Sequence, residues 1–355
     1  ILSAAYGEEK TGLLTTAEIV VGREREPAVR TTGEAPQVQG NLARMRDAGV
    51  EHVVLETSSH GIHLHRVAGT RYAAALFTNL TRDHLDLHGT MEDYFLTKRR
   101  LFEWTDGPKL TNVDDAYGAR IVAEVPGTLG FGVSENADYR ITNVHPSDGG
   151  TAFTLTTPER FLDGRDAPGV IELQMPLLGD YNVHNVAGAS AIALEMGMPL
   201  DTLVDAVAHM AQVPGRFERV PAATAKGFEV VVDYAHTEVG LELVLDVARD
   251  VISPEGRVIC VYGAAGRRDP AKRPKMGEVA SRLADVNIIT NDDTYDEDPQ
   301  AIADEVMAGA DAADTTVVLD RREAIRAAAA GEGEVRPAAA SPAPAPRPGS
   351  ANRSY

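Results

Sequence analysis

The stretch "RYAAALFTNLTRDHLDLHGTMEDYFLTKRRLFEW", residues 71–104, holds the fold in miniature. "RYAAALFTNL" reads as a buried strand, a polar turn interrupts it, and "MEDYFLTKRRLFEW" resumes with apolar residues at helical spacing. Repeated along a chain, that order of strand, loop and helix calls for parallel strands with helices on the sheet faces. Upstream, "GLLTTAEIVVG" (12–22) has strand composition and "REREPAVRTTGEAP" (23–36) reads as a polar loop. "QVQGNLARMRDAGV" (37–50) predicts a helix closed by a glycine, and "HVVLET" (52–57) a short buried strand. Residues 139–158 and "VIELQMPLLG" (170–179) alternate apolar and polar, as half-exposed antiparallel strands do. Two helices follow, "NVHNVAGASAIALEMGM" (182–198), rich in small residues, and "PLDTLVDAVAHM" (199–210).

A boundary falls at "VPGRFERV" (213–220), after which the alternation restarts. Strands "FEVVVDY", "RVICVYG", "VNIITN" and "TTVVLD" interleave with helices "EVGLELVLDVARDV", "KMGEVASRLA" and "PQAIADEVMAG", giving a second doubly wound α/β unit. Residues 329–355 are Ala/Pro/Arg-rich with almost no core formers, so disorder is expected there. The expected division is 1–213, 214–328 and this tail. The chain opens with Ile1 inside an apparent helix, which reads as a fragment lacking its natural start.

Bulk composition excludes several classes. A net charge of −19 disfavours a nucleic-acid partner, whose phosphates would be repelled. No apolar run reaches the roughly 18 residues a membrane span needs. The single Cys260 fits a reducing cytoplasm rather than a disulfide scaffold.

Five of the ten histidines lie within residues 60–88. His84 and Asp86 follow one strand at its C-terminal edge and Glu56 closes another, the place where open α/β sheets bind ligands. Together they suit a hard divalent cation, with phosphate and water completing its shell. Strand capping is the duller reading of each residue taken singly. Lys98, on the helix with Tyr94, Leu101 and Phe102, reads by itself as a solvated lysine. "TTGEA" (31–35) and "SSHGIHLHR" (58–66) offer hydroxyls, amides and Arg66 to an anionic ligand. The loop "GAAGRRDPAKRPKMG" (263–277) sets five bases against one acid, an anion clamp in an acidic chain. No Gly-rich run ending in Gly-Lys-Ser/Thr occurs.

In order, "TTGEA", "LETSSHGIHLHRV", residues 77–102, "PLLGDYNVHNVAGASAIAL", "VPGRFERV", "VDYAHT", "YGAAGRRDPAKRPKMGEVA" and "DRREAIR" resemble the Mur ligase family, closest to its MurE type, over residues 10–328. The resemblance implies a central ATPase domain, mostly a parallel sheet with a small antiparallel section, followed by a Rossmann-like C-terminal domain. It implies ATP-dependent joining of a diamino acid to UDP-N-acetylmuramoyl-L-alanyl-D-glutamate through an acyl phosphate, by a cytoplasmic monomer. Read through it, Glu56 and His84 look like magnesium ligands. Lys98 matches a lysine that CO2 converts to a carbamate able to hold a second magnesium. Thr31, Thr32, Ser58 and Arg66 resemble contacts to the UDP-sugar peptide, with Leu64 where relatives often carry glutamine. Asn182 and Asn185 lie where the family holds adenine. Arg216, Asp233 and His236 resemble groups that close on ATP, although Glu238-Val239 replaces the usual Pro-Asp. Arg268 matches an arginine that grips the incoming amino acid's carboxylate. Where diaminopimelate enzymes carry Asp-Asn-Pro-Arg, this chain has Asp292, Asp293, Thr294 and Tyr295. A tyrosine cannot clamp a carboxylate bidentately, and acids suit an ammonium, which favours L-lysine.

The family's P-loop is expected upstream of Ile1, and Gly-Lys-Gly-His-Glu after "DRREAIR" gives way to the tail. The chain as given is therefore expected neither to bind ATP tightly nor to turn over. Other readings are a folylpolyglutamate synthase, a metal-dependent hydrolase without nucleotide, and a non-catalytic remnant that binds the precursor.

Overall fold

The structure is a computed structural model that describes residues 1–147, 149–158, 169–224, 226–253 and 255–330, without the side chain of Asp86. The expected disordered tail, apart from its first two residues, lies outside the described residues. The chain divides into two compact units, the first ending at Pro214 and the second beginning at Gly215.

The first unit contains two sheets. In the four-stranded one, Glu24–Pro27, Glu18–Val21 and Thr11–Leu14 form an antiparallel meander, and His52–Leu55 joins Thr11–Leu14 in parallel. Two expectations change here. Residues 12–22 are a hairpin rather than one strand, and part of the expected polar loop is the third strand. That strand, Glu24–Pro27, is exposed throughout, held by its backbone ladder and by surface ion pairs of Arg25 with Glu18 and of Glu26 with Arg44, and no apolar pattern marks it. Nor is the strand His52–Leu55 buried: Val53 and Val54 are 39% and 47% exposed. Among the described residues this strand and Ala75–Phe77 each pair on one side only.

The six-stranded sheet runs Ala75–Phe77, Lys109–Asn112, Thr128–Gly132, Tyr139–Ser147, Gly150–Thr157, Gly169–Met175, parallel through the first four strands and antiparallel thereafter. Its alternating strands bury Tyr139, Ile141, Phe153, Leu155, Leu173 and Met175. Helix Asp180–Glu195 lies on this core, and its small residues are what allow the approach. A Cβ on Gly188 would sit 2.8 Å from the Phe131 ring. A second cluster, with Phe77, Leu80, Phe95, Phe102 and Ile121, fixes helix Met91–Glu103 beside the histidine turn. Thr90 caps that helix by accepting from the Asp93 amide.

The second unit is a parallel sheet in the order Ile259–Tyr262, Val286–Ile289, Thr315–Val317. Its longer helices are Glu238–Val251, Lys272–Leu283, Pro299–Met307 and Arg321–Ala330. The expected first strand, "FEVVVDY", contracts to Val231–Val232, paired antiparallel with Glu218–Arg219 in a sheet of its own. No helix among the described residues is long and apolar enough to cross a membrane.

Candidate active site

Glu56 follows strand His52–Leu55 directly, and its Oε2 accepts from the Thr16 amide (2.9 Å) and hydroxyl (3.1 Å). Thr31 joins through a 2.8 Å contact between its hydroxyl and that of Thr16. The buried Thr32 hydroxyl donates to the Glu56 carbonyl and accepts from the Ser58 amide, both at 2.9 Å. Ser58 caps the short helix Ser59–His63 by accepting from Gly61. Arg66 donates to the Thr32 carbonyl (3.3 Å) and pairs with Glu34 (3.0 Å). Glu56, Thr31, Thr32, Ser58 and Arg66 are thus brought together. Thr32 already spends its hydroxyl on the backbone, so it holds Glu56 and Ser58 in place.

His84 sits in the left-handed region (φ 55), strain of the kind that collects at functional turns. Its amide donates to Asp83 Oδ1 (2.8 Å), and its ring lies 4.7 Å from that of His60. Behind them, His88 stacks on Tyr94 at 4.9 Å, with His63 5.6 Å away, edge-on to His88. Burial, then the charges of His60, His63, His84 and Lys98, lower the His88 pKa. Burial, helped by the Asp83 charge, pushes the Tyr94 hydroxyl up to about 12. The ammonium of Lys98 lies 5.3 Å from the centre of the Tyr94 ring. Lys98 is not the solvated side chain its neighbours on the helix imply. Burial lowers its pKa, while the charges of Glu56 and Asp83 pull the other way without an ion pair among the described residues. Glu56 and Lys98 therefore share one neighbourhood, and Asp83, His60, His63 and His88 belong to it too. The histidine density of residues 60–88 was the signal for them. Among the described residues no three His, Cys, Asp or Glu side chains are grouped closely enough to cage a metal by themselves.

On helix Asp180–Glu195, Asn182 is buried and donates to the Leu178 carbonyl at 2.7 Å, whereas Asn185 is exposed. Between them His184 bonds Asp114 through Nε2 (3.0 Å) and the Asp180 carbonyl through Nδ1 (3.0 Å). Asp114 also accepts from the amides of Val133 and Ser134 and from the Ser134 hydroxyl. Burial alone would raise the Asp114 pKa, but these bonds outweigh it and hold the carboxyl at about 2. For His184 burial works downward, and the Asp114 and Asp180 partners outweigh it to raise the pKa. This half-buried pair ties the strand ends to the helix start that carries both asparagines, and nothing in the local sequence announces it.

In the second unit, Asp233 accepts from the amides of Phe217 and Ala235, each at 2.7 Å. The exposed Tyr234 ring has the Arg216 guanidinium 4.8 Å from its centre and the His236 ring 5.3 Å away. The expected clamp in residues 263–277 is mostly spent internally. Arg267 pairs with Asp296, the buried Arg273 with Glu297 (2.8 Å) and Glu305 (2.9 Å), Lys275 with Glu238 (3.7 Å), and Lys272 donates to the His236 carbonyl. Arg268 instead lies 5.9 Å from the centre of the Tyr295 ring. Asp292 is 3.8 Å from Arg321, and the Asp293 carbonyl accepts from Gly266. Arg268, Asp292 and Asp293 are thereby gathered where loop 263–270 meets segment 291–298.

The first unit thus carries a carboxylate and an imidazole at its strand ends and a half-buried lysine on the helix that follows, and a parallel α/β unit comes after it. Residues 1–193 match the Mur ligase middle domain and residues 215–336 the family's glutamate ligase domain. The chain belongs to the Mur ligase family. It is 40% identical over 321 residues to the UDP-N-acetylmuramoyl-L-alanyl-D-glutamate–2,6-diaminopimelate ligase of Clostridium botulinum, covering 90% of this chain and 64% of that protein. The enzyme of the same name from Synechococcus elongatus is 41% identical over 326 residues, covering 90% and 63%. A solved structure of such a ligase superposes with a TM-score of 0.60 at 30% identity, covering 91% of this chain and 65% of that one. The chain thus spans just under two thirds of these relatives' length. The expectation that it is inactive by itself finds no support in them.

Proposed function

We propose that the protein joins a diamino acid to the D-glutamate carboxylate of UDP-N-acetylmuramoyl-L-alanyl-D-glutamate, with ATP converted to ADP, in peptidoglycan synthesis. The observation that carries this reading is Lys98, held half-buried and without an ion pair among the described residues beside Glu56, Asp83 and the histidine turn, in a chain of this family. Burial that disfavours the charged form brings the neutral amine, the form that reacts with CO2, within easier reach. The nitrogen lone pair bonds the carbon, a C=O pair moves onto oxygen, and one proton leaves to solvent. The carbamate so formed adds a carboxylate-like ligand to Glu56 and His84. Glu56 retains Oε1 free of hydrogen bonds among the described residues, a hard donor suited to magnesium, which keeps several waters and needs few protein ligands. Two bound magnesium ions would neutralise phosphate charge. Ser58 and Arg66 orient the precursor, and Asn185 with Asn182 borders the adenine. Arg216 and His236, both beside the Tyr234 ring, are groups able to donate to phosphate. The D-glutamate carboxylate takes the γ-phosphoryl group, ADP leaves, and the amine of the incoming amino acid displaces phosphate from the carbonyl carbon.

The relatives carry 2,6-diaminopimelate in their names, which weighs against the L-lysine expected from Tyr295. We take diaminopimelate as the substrate, its α-carboxylate held by Arg268. The test is ADP release on adding precursor and amino acid together, with diaminopimelate and L-lysine compared. Release that requires both co-substrates supports the reading. Phosphoester or amide hydrolysis without ATP would instead identify the hydrolase.

A further inference from the structure

Of the cluster histidines that the proposed chemistry leaves without a task, His88 is the buried one. His88 is 6% exposed and Ser59 1%. His88 Nε2 lies 2.9 Å from the Ser59 hydroxyl, and Ser59 also acts on the Tyr94 hydroxyl, opposing the rise that burial gives it. One serine hydroxyl can donate to one ring and accept from the other, so it serves both. The rings themselves are nearly parallel, 12° apart. Lys98 stands over the outer ring of this stack, and Ser59 opens the helix that Ser58 caps. Nδ1 of His88 is buried with no partner among the described residues, a cost that packing alone would be expected to remove by a Phe or Leu at this position. An imidazole kept there at that cost points to its other nitrogen, the one bonded to Ser59.

We infer that His88 is a positioning residue: with Ser59 and Tyr94 it forms a buried clamp that sets the Lys98 amine relative to Glu56 and ties helix Met91–Glu103 to the Ser58 loop. The inference rests on the carbamate reading above and deepens it. Lys98 needs its amine fixed beside the cation ligands for the carbamate to be retained once formed. The clamp supplies this through the face of Tyr94, which lies stacked on the His88 ring that Ser59 holds.

The experiment loads the 355-residue chain with 13C-bicarbonate and magnesium and measures the Lys98 carbamate carbon by NMR, with Lys98→Ala as the blank. His88→Phe keeps the stack and loses the hydrogen bond, Ser59→Ala removes the shared hydroxyl, and His88→Gln restores a polar group that reaches Ser59. Carbamate occupancy should fall about fivefold in H88F and in S59A, the loss expected for one buried hydrogen bond, and recover in H88Q to within about twofold of wild type. Melting curves run alongside separate this from simple destabilisation, which would lower the melting temperature and leave the occupancy of the folded protein untouched. Should H88F fail to fold, S59A and H88Q decide the matter. A wild-type signal that persists unchanged in folded S59A or H88F overturns the clamp alone. No signal in wild type overturns the carbamate reading and the clamp together.

Discussion

Lys98 shows the conflict between stability and chemistry at the scale of one residue. Burial disfavours its charge, and no carboxylate among the described residues neutralises it at salt-bridge distance, so the folded protein holds a cation it would be more stable without. Lys98→Met should therefore raise stability by about 1 kcal/mol in urea unfolding while ligation falls by about 100-fold or more. A destabilised Lys98→Met would show that the amine is structural. Asp114 and His184 behave oppositely. Because the Asp114 carboxyl is held at about 2, its contribution is complete above the ordinary aspartate range and is lost as pH falls through about 2. His184 is raised, so its contribution is complete below about 6.5 and is lost as pH rises through its folded value. Asp114→Asn should cost about 3 kcal/mol at pH 5, and the gap from wild type should narrow by pH 3. A gap constant from pH 5 to pH 3 would refute the assignment. Sequence made Glu56, His84 and the histidine crowding visible, because three chemically unusual residue types gather at two strand ends. Asp114 was invisible, since its partner lies 70 residues away and each looks ordinary alone.

Among the elements, the short helix Ser59–His63 depends on a glycine for a reason of space. A Cβ on Gly61 would come within 2.6 Å of Thr32 Cγ2, so the helix sits against the threonine that fixes Ser58 and Glu56. Gly61→Ala should cost about 1–3 kcal/mol and weaken precursor binding, measured by melting and by calorimetric titration with the UDP-sugar dipeptide. Unchanged affinity would detach that knot from the binding site. The three strands of the second unit's parallel sheet were legible because each is a short apolar run bounded by turns, as in "VNIITN" and "RVICVYG". Strand Glu24–Pro27 was not, because a fully exposed strand carries no periodic signal. His52–Leu55 misled in the other direction: its valines read as interior, yet that strand pairs on one side only among the described residues. Residues 105–138 went unread, although they supply two central strands and Asp114.

At the scale of the whole molecule, each unit has its own core, and in the second the helices meet through glycine. A Cβ on Gly277 would lie 2.2 Å from the Val306 carbonyl, and one on Gly309 1.9 Å from that of Pro274. Gly277→Ala should therefore destabilise the second unit by about 2–3 kcal/mol, visible as an earlier transition in urea followed by the fluorescence of its tyrosines. An unshifted transition would show that the crossing yields. Function is the larger claim, because the family was legible from eight ordered motifs while the amino acid added was not: Tyr295 and the relatives point to different substrates. The most direct test is the product itself. The protein, given UDP-N-acetylmuramoyl-L-alanyl-D-glutamate, ATP, magnesium, bicarbonate and 2,6-diaminopimelate, is followed by mass spectrometry. The account predicts a precursor heavier by one diaminopimelate residue, formed with one ADP each and absent with Lys98→Ala. ATP cleavage that ignores the precursor, or product formed equally well without Lys98, would contradict it.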